Sequence, residues 1–199
     1  MGYTTILDII GSTIVGGLLI LILFRANSSA VENTYNYGSD LSAQQKLGII
    51  SRLIDYDFSK IGYCKNQFPD YKNAVALADS TQFKFYADMD NDGALDSVIY
   101  RLGPTTELSR TPNPSDRILY RTVYDTTAPK VTPFDGVTVF KLIYYDNSGN
   151  LMSFPITQPE NIGRIKILLK TENSAPIRRE YASSFLEDTK FIGYNVNNR

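Results

Sequence analysis

Histidine is missing from all 199 residues of this chain, tryptophan is missing too, and Cys64 is its single cysteine. These absences remove histidine-based acid–base catalysis, any intrachain disulfide, and zinc sites assembled from cysteine and histidine. An excess of charge of one sign is also lacking: the formal net charge is −1, with both signs spread along the chain. Without a basic face, nucleic acid is not an expected partner. No nucleophile with an adjacent base and no phosphate-cradling loop stands out, so neither enzymatic activity nor a small-molecule substrate is expected. Cys64, beside Tyr63, reads as a small half-buried apolar residue. The 14 tyrosines combine apolar area with a hydrogen-bonding tip, which suits subunit contacts and strand packing alike.

What the chain does have is one long apolar run. Residues 9–24 carry no charge, with Asp8 before them and Arg25 after. At about 1.5 Å per helical residue this run makes a rod of roughly 24 Å, slightly short of the ~30 Å hydrocarbon core of a bilayer. A retained helix is expected rather than a cleaved signal peptide, because no cation precedes Ile9 and Asp8 stands where one belongs. Gly11, Gly16 and Gly17 are small enough to let neighbouring helices approach closely. Asp8 would cost about 2.5–3.5 kcal/mol at a membrane centre. Two readings of it stay open: a carboxylate compensated by the N-terminal amine or a polar backbone end of a neighbouring subunit, or a first-turn acid favoured by the helix dipole at the headgroups.

Residues 25–40 turn polar, and the helix is expected to fray or bend there. The expected organisation is therefore an apolar helix and polar hinge over residues 1–40, then one globular head over residues 41–199. Ser42-Ala43-Gln44-Gln45 has the form of a capping box that restarts a helix, and Leu47, Ile50, Leu53, Ile54, Phe58 and Ile61 recur at helical spacing behind it. Alternation and β-forming residues then predict strands over Gln82–Ala87, 97–102, Arg117–Tyr124, 137–146 and 164–171. Asn91-Asp92-Gly93 and Asn147-Ser148-Gly149-Asn150 supply turn chemistry, so the sheet should be antiparallel. Residues 103–115, with three prolines, read as a surface loop, and Phe185 and Phe191 as side chains packing the tail onto the body. The fold class is α+β: an apolar N-terminal helix, then an amphipathic helix packed on an antiparallel sheet.

Asp88-Met89-Asp90-Asn91-Asp92-Gly93-Ala94-Leu95-Asp96 places carboxylates at positions one, three, five and nine of a loop with glycine at six. Alternate acids on a tight turn point several oxygens inward, and a hard cation wants six to eight of them. Asp88, Asp90, Asp92 and Asp96, with the Ala94 carbonyl, are therefore candidate ligands for Ca²⁺. Strand-like flanks and Ile99 at position twelve depart from an EF-hand, which points to a weaker, hairpin-borne site. The opposing reading is a solvated hairpin turn that uses Asp for turn propensity alone. Asn27-Ser28-Ser29 has the spacing of a glycosylation sequon, a frequent chance pattern. Asp55 and Asp57, two apart on a helix, point in different directions and read as solvated.

This order of parts resembles type IV pilins and pilin-like proteins. Gly2-Tyr3-Thr4-Thr5-Ile6-Leu7-Asp8 keeps the Gly, aromatic and Thr order of that family's mature end, with Asp8 one residue later than the family's Glu. The stretch from Ser51 to Tyr63, followed by Phe83 to Tyr100 and by Tyr144-Tyr145-Asp146-Asn147-Ser148-Gly149, is similar to the body of minor pilins that prime or cap a fibre. The resemblance implies a structural role: a filament on the cell surface whose core is packed from N-terminal helices of many copies, with the inner membrane as host before assembly. Tyr3, Asp8, Gly11, Gly16, Gly17 and Phe24 would then lie in the filament core. Burying that apolar run among copies is worth on the order of 20 kcal/mol per subunit before ordering costs. Two alternatives stand beside this expectation: a minor pilin or pseudopilin acting on another fibre, and an extracytoplasmic binding module that uses the helix only as a tether.

Overall fold

The computed structural model describes residues 2–66, 74–125, 128–176 and 180–192. The chain divides into two units, Met1–Ser39 and Asp40–Arg199, and each is taken by itself.

Helix α1 spans Gly2–Ser59. The break expected over residues 25–40 is absent, and Ser42 lies inside the helix instead of capping a new one. The reason is energetic. Asn and Ser cost at most about 0.7 kcal/mol each in a helix and Gly38 about 1 kcal/mol, whereas proline, the residue that stops helices, first occurs at position 69. A helix already nucleated on either side of such a stretch propagates through it. Thr34 turns its hydroxyl back onto the Ala30 carbonyl at 2.9 Å, removing one competitor for the backbone.

Among the described residues of the second unit, seven strands form one antiparallel sheet whose spatial order is the sequence order. They are β1 (Val75–Ala78), β2 (Gln82–Ala87), β3 (Asp96–Leu102), β4 (Arg117–Tyr124), β5 (Pro129–Asp146), β6 (Ile162–Glu172) and β7 (Ser183–Phe191). The five expected strands are present, and the outermost two, β1 and β7, are additions. Strand β1 is only four residues long, and β7 alternates between exposed and half-buried positions, so neither announces itself by hydrophobicity. The tail does join the body, but by pairing with β6: Phe185 and Phe191 are 56% and 68% exposed, while Leu186 and Ile192 pack on the core. Phe191 carries the Arg164 guanidinium on its ring instead.

Strand β5 is longer than its sequence pattern because it serves two partners, β4 through its first half and β6 through its second. Gly136 stands between the halves at φ +78°, where a Cβ would press on the Glu172 carbonyl. The turn at residues 147–150 is present, closed by the Asp146 carboxylate accepting from the Asn150 backbone and side-chain amides at 2.8 and 3.0 Å. It does not lead straight into β6, however. Leu151 bridges back to Tyr145, and Met152 and Ile156 pack on the core before β6 begins. The proline-rich loop is exposed over most of its length, but Asn113 is buried and donates to Glu172 at 2.8 Å.

Ile50, Ile54 and Phe58 of α1 enter a core with Phe83, Phe85, Tyr100, Phe140, Leu142 and Tyr144. The Phe58 ring meets Phe83, Phe85 and Tyr100 at 5.2–5.7 Å, tilted or edge-on, as aromatic quadrupoles prefer. Further up the helix, the Thr171 hydroxyl of β6 donates to the Ala43 carbonyl at 2.9 Å, both residues buried. Cys64 is buried, not half-buried.

Asp57 overturns its expected solvation. It is fully buried, and its carboxylate takes the Arg121 guanidinium in a fork, Nε at 2.5 Å and a terminal nitrogen at 2.9 Å, with the Tyr100 hydroxyl donating at 2.6 Å. Tyr100 and Arg121 face each other across β3 and β4, so one carboxylate closes on both. Burial, then the neighbouring Asp57 charge, holds the Tyr100 phenol well above its ordinary pKa, and it stays a donor. Asp55, by contrast, is half-buried and pairs with Lys190 at 2.7 Å.

A buried ion that loses its partner costs more than the pair contributes. In the chain lacking residues 1–25, Asp57→Ala and Arg121→Ala are each expected to lower unfolding free energy by about 3–5 kcal/mol, and the double substitution Asp57→Leu/Arg121→Met by clearly less than their sum. Urea denaturation of the four proteins checks this; additive losses would show that the two side chains are not coupled.

Candidate functional site

The apolar helix is the first candidate. By length and composition α1 is able to cross a membrane, the one helix among the described residues to do so. Every large apolar side chain from Ile6 to Phe24 is more than half exposed, and Tyr3 is 85% exposed. Asp8 is exposed too, with helix over residues 2–7 ahead of it. It is therefore beyond the first turn, where the dipole acts most strongly. A Cβ placed on Gly11, Gly16 or Gly17 meets nothing of this chain within 4 Å, so packing inside the subunit does not require those glycines.

Two further small residues pair with these glycines. Ser12 precedes Gly16 by four residues and Thr13 precedes Gly17 by four, two small pairs on adjoining helix faces. Both hydroxyls fold back onto the Ile9 carbonyl, at 2.9 and 2.6 Å. Their polarity is spent inside the helix. The surface they present is small and requires no hydrogen bond from outside.

The acidic hairpin between β2 and β3 is the second candidate. Asn91 at φ 63° and Gly93 at φ 91° turn the chain, conformations that Asn tolerates and Gly adopts freely. Asp88, Asp90 and Asp96 are brought together, each with a carboxylate oxygen within 4.8 Å of the others. Asp92 is not part of that trio; its carboxylate accepts the Ala94 N–H at 2.7 Å, an ordinary turn contact. The flanks are strands, as expected from the sequence.

Burial is unequal within the trio. Asp90 is exposed, Asp96 is 4% exposed and Asp88 is fully buried. Asp88 Oδ2 accepts the Lys65 and Gly93 N–H groups at 3.1 and 3.0 Å, while its Oδ1 is buried with no hydrogen-bond partner. A buried acceptor left unmatched costs about 1–3 kcal/mol, more when charged. Asp96 Oδ2 accepts the Met89 N–H at 2.9 Å. Burial, together with the charges of Asp90, Asp125 and Asp92, raises the Asp96 pKa above the usual carboxylate value against the pull of that N–H.

The hairpin is held by the segment that follows α1. The Asp88 N–H donates to the Tyr63 carbonyl at 2.8 Å, Lys60 Nζ to the Met89 carbonyl at 2.8 Å, and Lys65 Nζ to the Asn91 carbonyl at 3.2 Å. Cys64 Sγ and the Asn66 amide both reach the Gly93 carbonyl. Both lysines thus grip backbone oxygens. No sequence spacing foretold this embrace, because it joins residues 60–66 to residues 88–93 through the fold.

No protein-family model matches this chain, and none of the curated proteins compared with it matches either. A long apolar N-terminal helix followed by an antiparallel sheet is the arrangement the pilin resemblance implied.

Gly93→Ala tests the turn. A Cβ there would overlap the Asn66 amide, and the left-handed backbone resists a side chain. The substitution is expected to lower unfolding free energy by about 1–2 kcal/mol, read as a lower urea midpoint with unchanged slope.

Proposed function

We propose that this chain is a structural subunit of an extracellular pilus-like filament, held in the inner membrane before assembly and polymerised by packing its N-terminal helices against those of other copies. The observation that carries the reading is the exposure, on all sides of the helix, of every large apolar residue from Ile6 to Phe24. Soluble monomers rarely leave more than a few hundred Å² of contiguous apolar surface uncovered, so this segment requires lipid or other protein around it. Three features favour protein as its final environment: glycines that no intrachain contact requires, small pairs whose hydroxyls are internally satisfied, and a carboxylate at Asp8 that hydrocarbon does not accommodate. The second unit has a core of its own and needs no burial against other copies to fold.

The full-length protein, extracted in mild detergent and then concentrated, is expected to form threads under negative stain that withstand the same detergent once formed. The chain lacking residues 1–25 should elute as a soluble monomer at every concentration. Threads from the truncated chain would overturn the core assignment, and a bilayer-bound monomer that never polymerises would reduce the helix to a tether. A subtler test is Gly16→Leu, which meets nothing of its own subunit. It should leave the far-UV circular dichroism of the full-length protein in detergent unchanged, yet raise the concentration needed for assembly about tenfold, the equivalent of ~1.4 kcal/mol of overpacking between rods.

A further inference from the structure

We propose that Asp88, Asp90 and Asp96 form a divalent-cation site of the calcium class that fastens the β2–β3 turn to the segment following α1. Two independent observations meet here. The first is the convergence of three carboxylates, each offering an oxygen within 4.8 Å of the others. Two ligands on opposite sides of a calcium ion are separated by up to twice its 2.3–2.6 Å bond length, roughly 5 Å, so this spacing accommodates the ion without collapse of the turn. The second is Asp88 Oδ1, an oxygen of a fully buried carboxylate with no hydrogen-bond partner. Folding has used the other oxygen, which holds the Lys65 and Gly93 N–H groups, and has left this one for a ligand the polypeptide does not supply.

The chemistry of the set chooses the ion. All three donors are hard carboxylate oxygens, which select calcium, magnesium or manganese over zinc or copper. Asp90 is exposed, leaving an open side where water completes the coordination, as calcium tolerates with its six to eight irregular ligands. The ammonium groups of Lys60 and Lys65 hydrogen-bond backbone carbonyls of the turn and leave the three carboxylates without a lysine contact among the described residues. Asp92 is outside the site because its carboxylate does not converge with the other three; it accepts the Ala94 N–H at 2.7 Å, while Asp90 Oδ1 accepts the Asp92 N–H at 3.2 Å. The consequence is mechanical. With Asp88 Oδ2 on the Lys65 amide and the ion shared by Asp88, Asp90 and Asp96, the chain leaving the helix and the hairpin become one braced unit.

The test uses the full-length chain in detergent micelles with calcium alone as probe. Calorimetric titration is expected to give Kd of about 10⁻⁴–10⁻³ M, the range of extracellular modules, and 10 mM calcium should raise Tm by about 3–10 °C over the chelator-treated protein. Asp90→Asn, an exposed and therefore structurally mild change, should weaken binding at least tenfold and abolish the Tm shift. Asp92→Asn should retain both. No heat and no Tm shift in the native chain would overturn the site, as would a shift that Asp90→Asn and Asp96→Asn both preserve or that Asp92→Asn alone removes.

Discussion

The carboxylate of Asp57 sits where no water reaches it, and its satisfaction fixes how the end of α1 lies on the sheet. An apolar stripe such as Ile50, Ile54 and Phe58 tolerates small rotations of a helix about its axis, because dispersion and area burial are not directional. A fork from Arg121 and a phenol from Tyr100 are directional, and those two residues are locked opposite each other across β3 and β4. Only one rotation and one depth let Asp57 meet both. The pair is a poor source of net stability, since desolvating the charges offsets most of the attraction. Its contribution is register. From that register follows the position of residues 60–66, and from theirs the bracing of the acidic hairpin.

The same docking separates two kinds of burial. Among the described residues of the second unit the core side chains are gathered by alternation: Phe83 and Phe85 from β2, Val98 and Tyr100 from β3, Phe140, Leu142 and Tyr144 from β5, and Ile165, Ile167 and Leu169 from β6. The facing residues on those strands are half-buried or exposed, and much of the charge lies there in ladders such as Lys166 with Glu187. Over residues 2–39 no such gathering occurs, and apolar side chains point to all sides. One chain thus contains a segment that obeys the usual inside–outside rule and one that inverts it. Inversion on this scale is stable only if the surroundings are themselves apolar.

How much of this was legible depended on whether a signal was local. The five central strands and the turn at Asn91-Asp92-Gly93 were readable because period-two alternation and turn residues act over a few positions. The long helix is legible in its apolar part and not in its polar part, where propagation from both sides outweighs weak local propensities. Asp57 is hard to read as buried for a different reason. It lies three residues after Ile54 and seven after Ile50, on the very face that the apolar stripe defines, and Arg121 lies between Leu119 and Val123 on the inward face of β4. Position predicted burial for both, and residue type argued against it; two opposite charges at buried positions are the signal that reconciles them. In the acidic loop the sequence showed the repeat of acids but not which would converge. Asp92 is drawn off by the local Ala94 amide, and the exclusion of Asp88 from water comes from Tyr63 and Lys65, distant in sequence.

Under the proposed packing, charge along the apolar rod constrains how copies can lie together. Residues 2–45 contain one cation, Arg25, and an acid at Asp8 set among Ile6, Leu7, Ile9 and Ile10. Within a single helix the two are separated by roughly 25 Å of axial rise, too far to meet. Were copies to pack as proposed, a displacement by that same distance would bring Arg25 of one level with Asp8 of the next, but it would set residues 9–24 of one copy against residues 26–41 of the other, which are polar over most of their length. Parallel rods in perfect alignment do the opposite: they stack Asp8 beside Asp8 and Arg25 beside Arg25, and repulsion in a low-dielectric core is far stronger than in water. Under the proposed packing the hydrophobic gain and the charge pattern therefore pull against each other: full alignment buries the apolar runs and opposes like charges, while a stagger of roughly 25 Å pairs the charges and uncovers the runs.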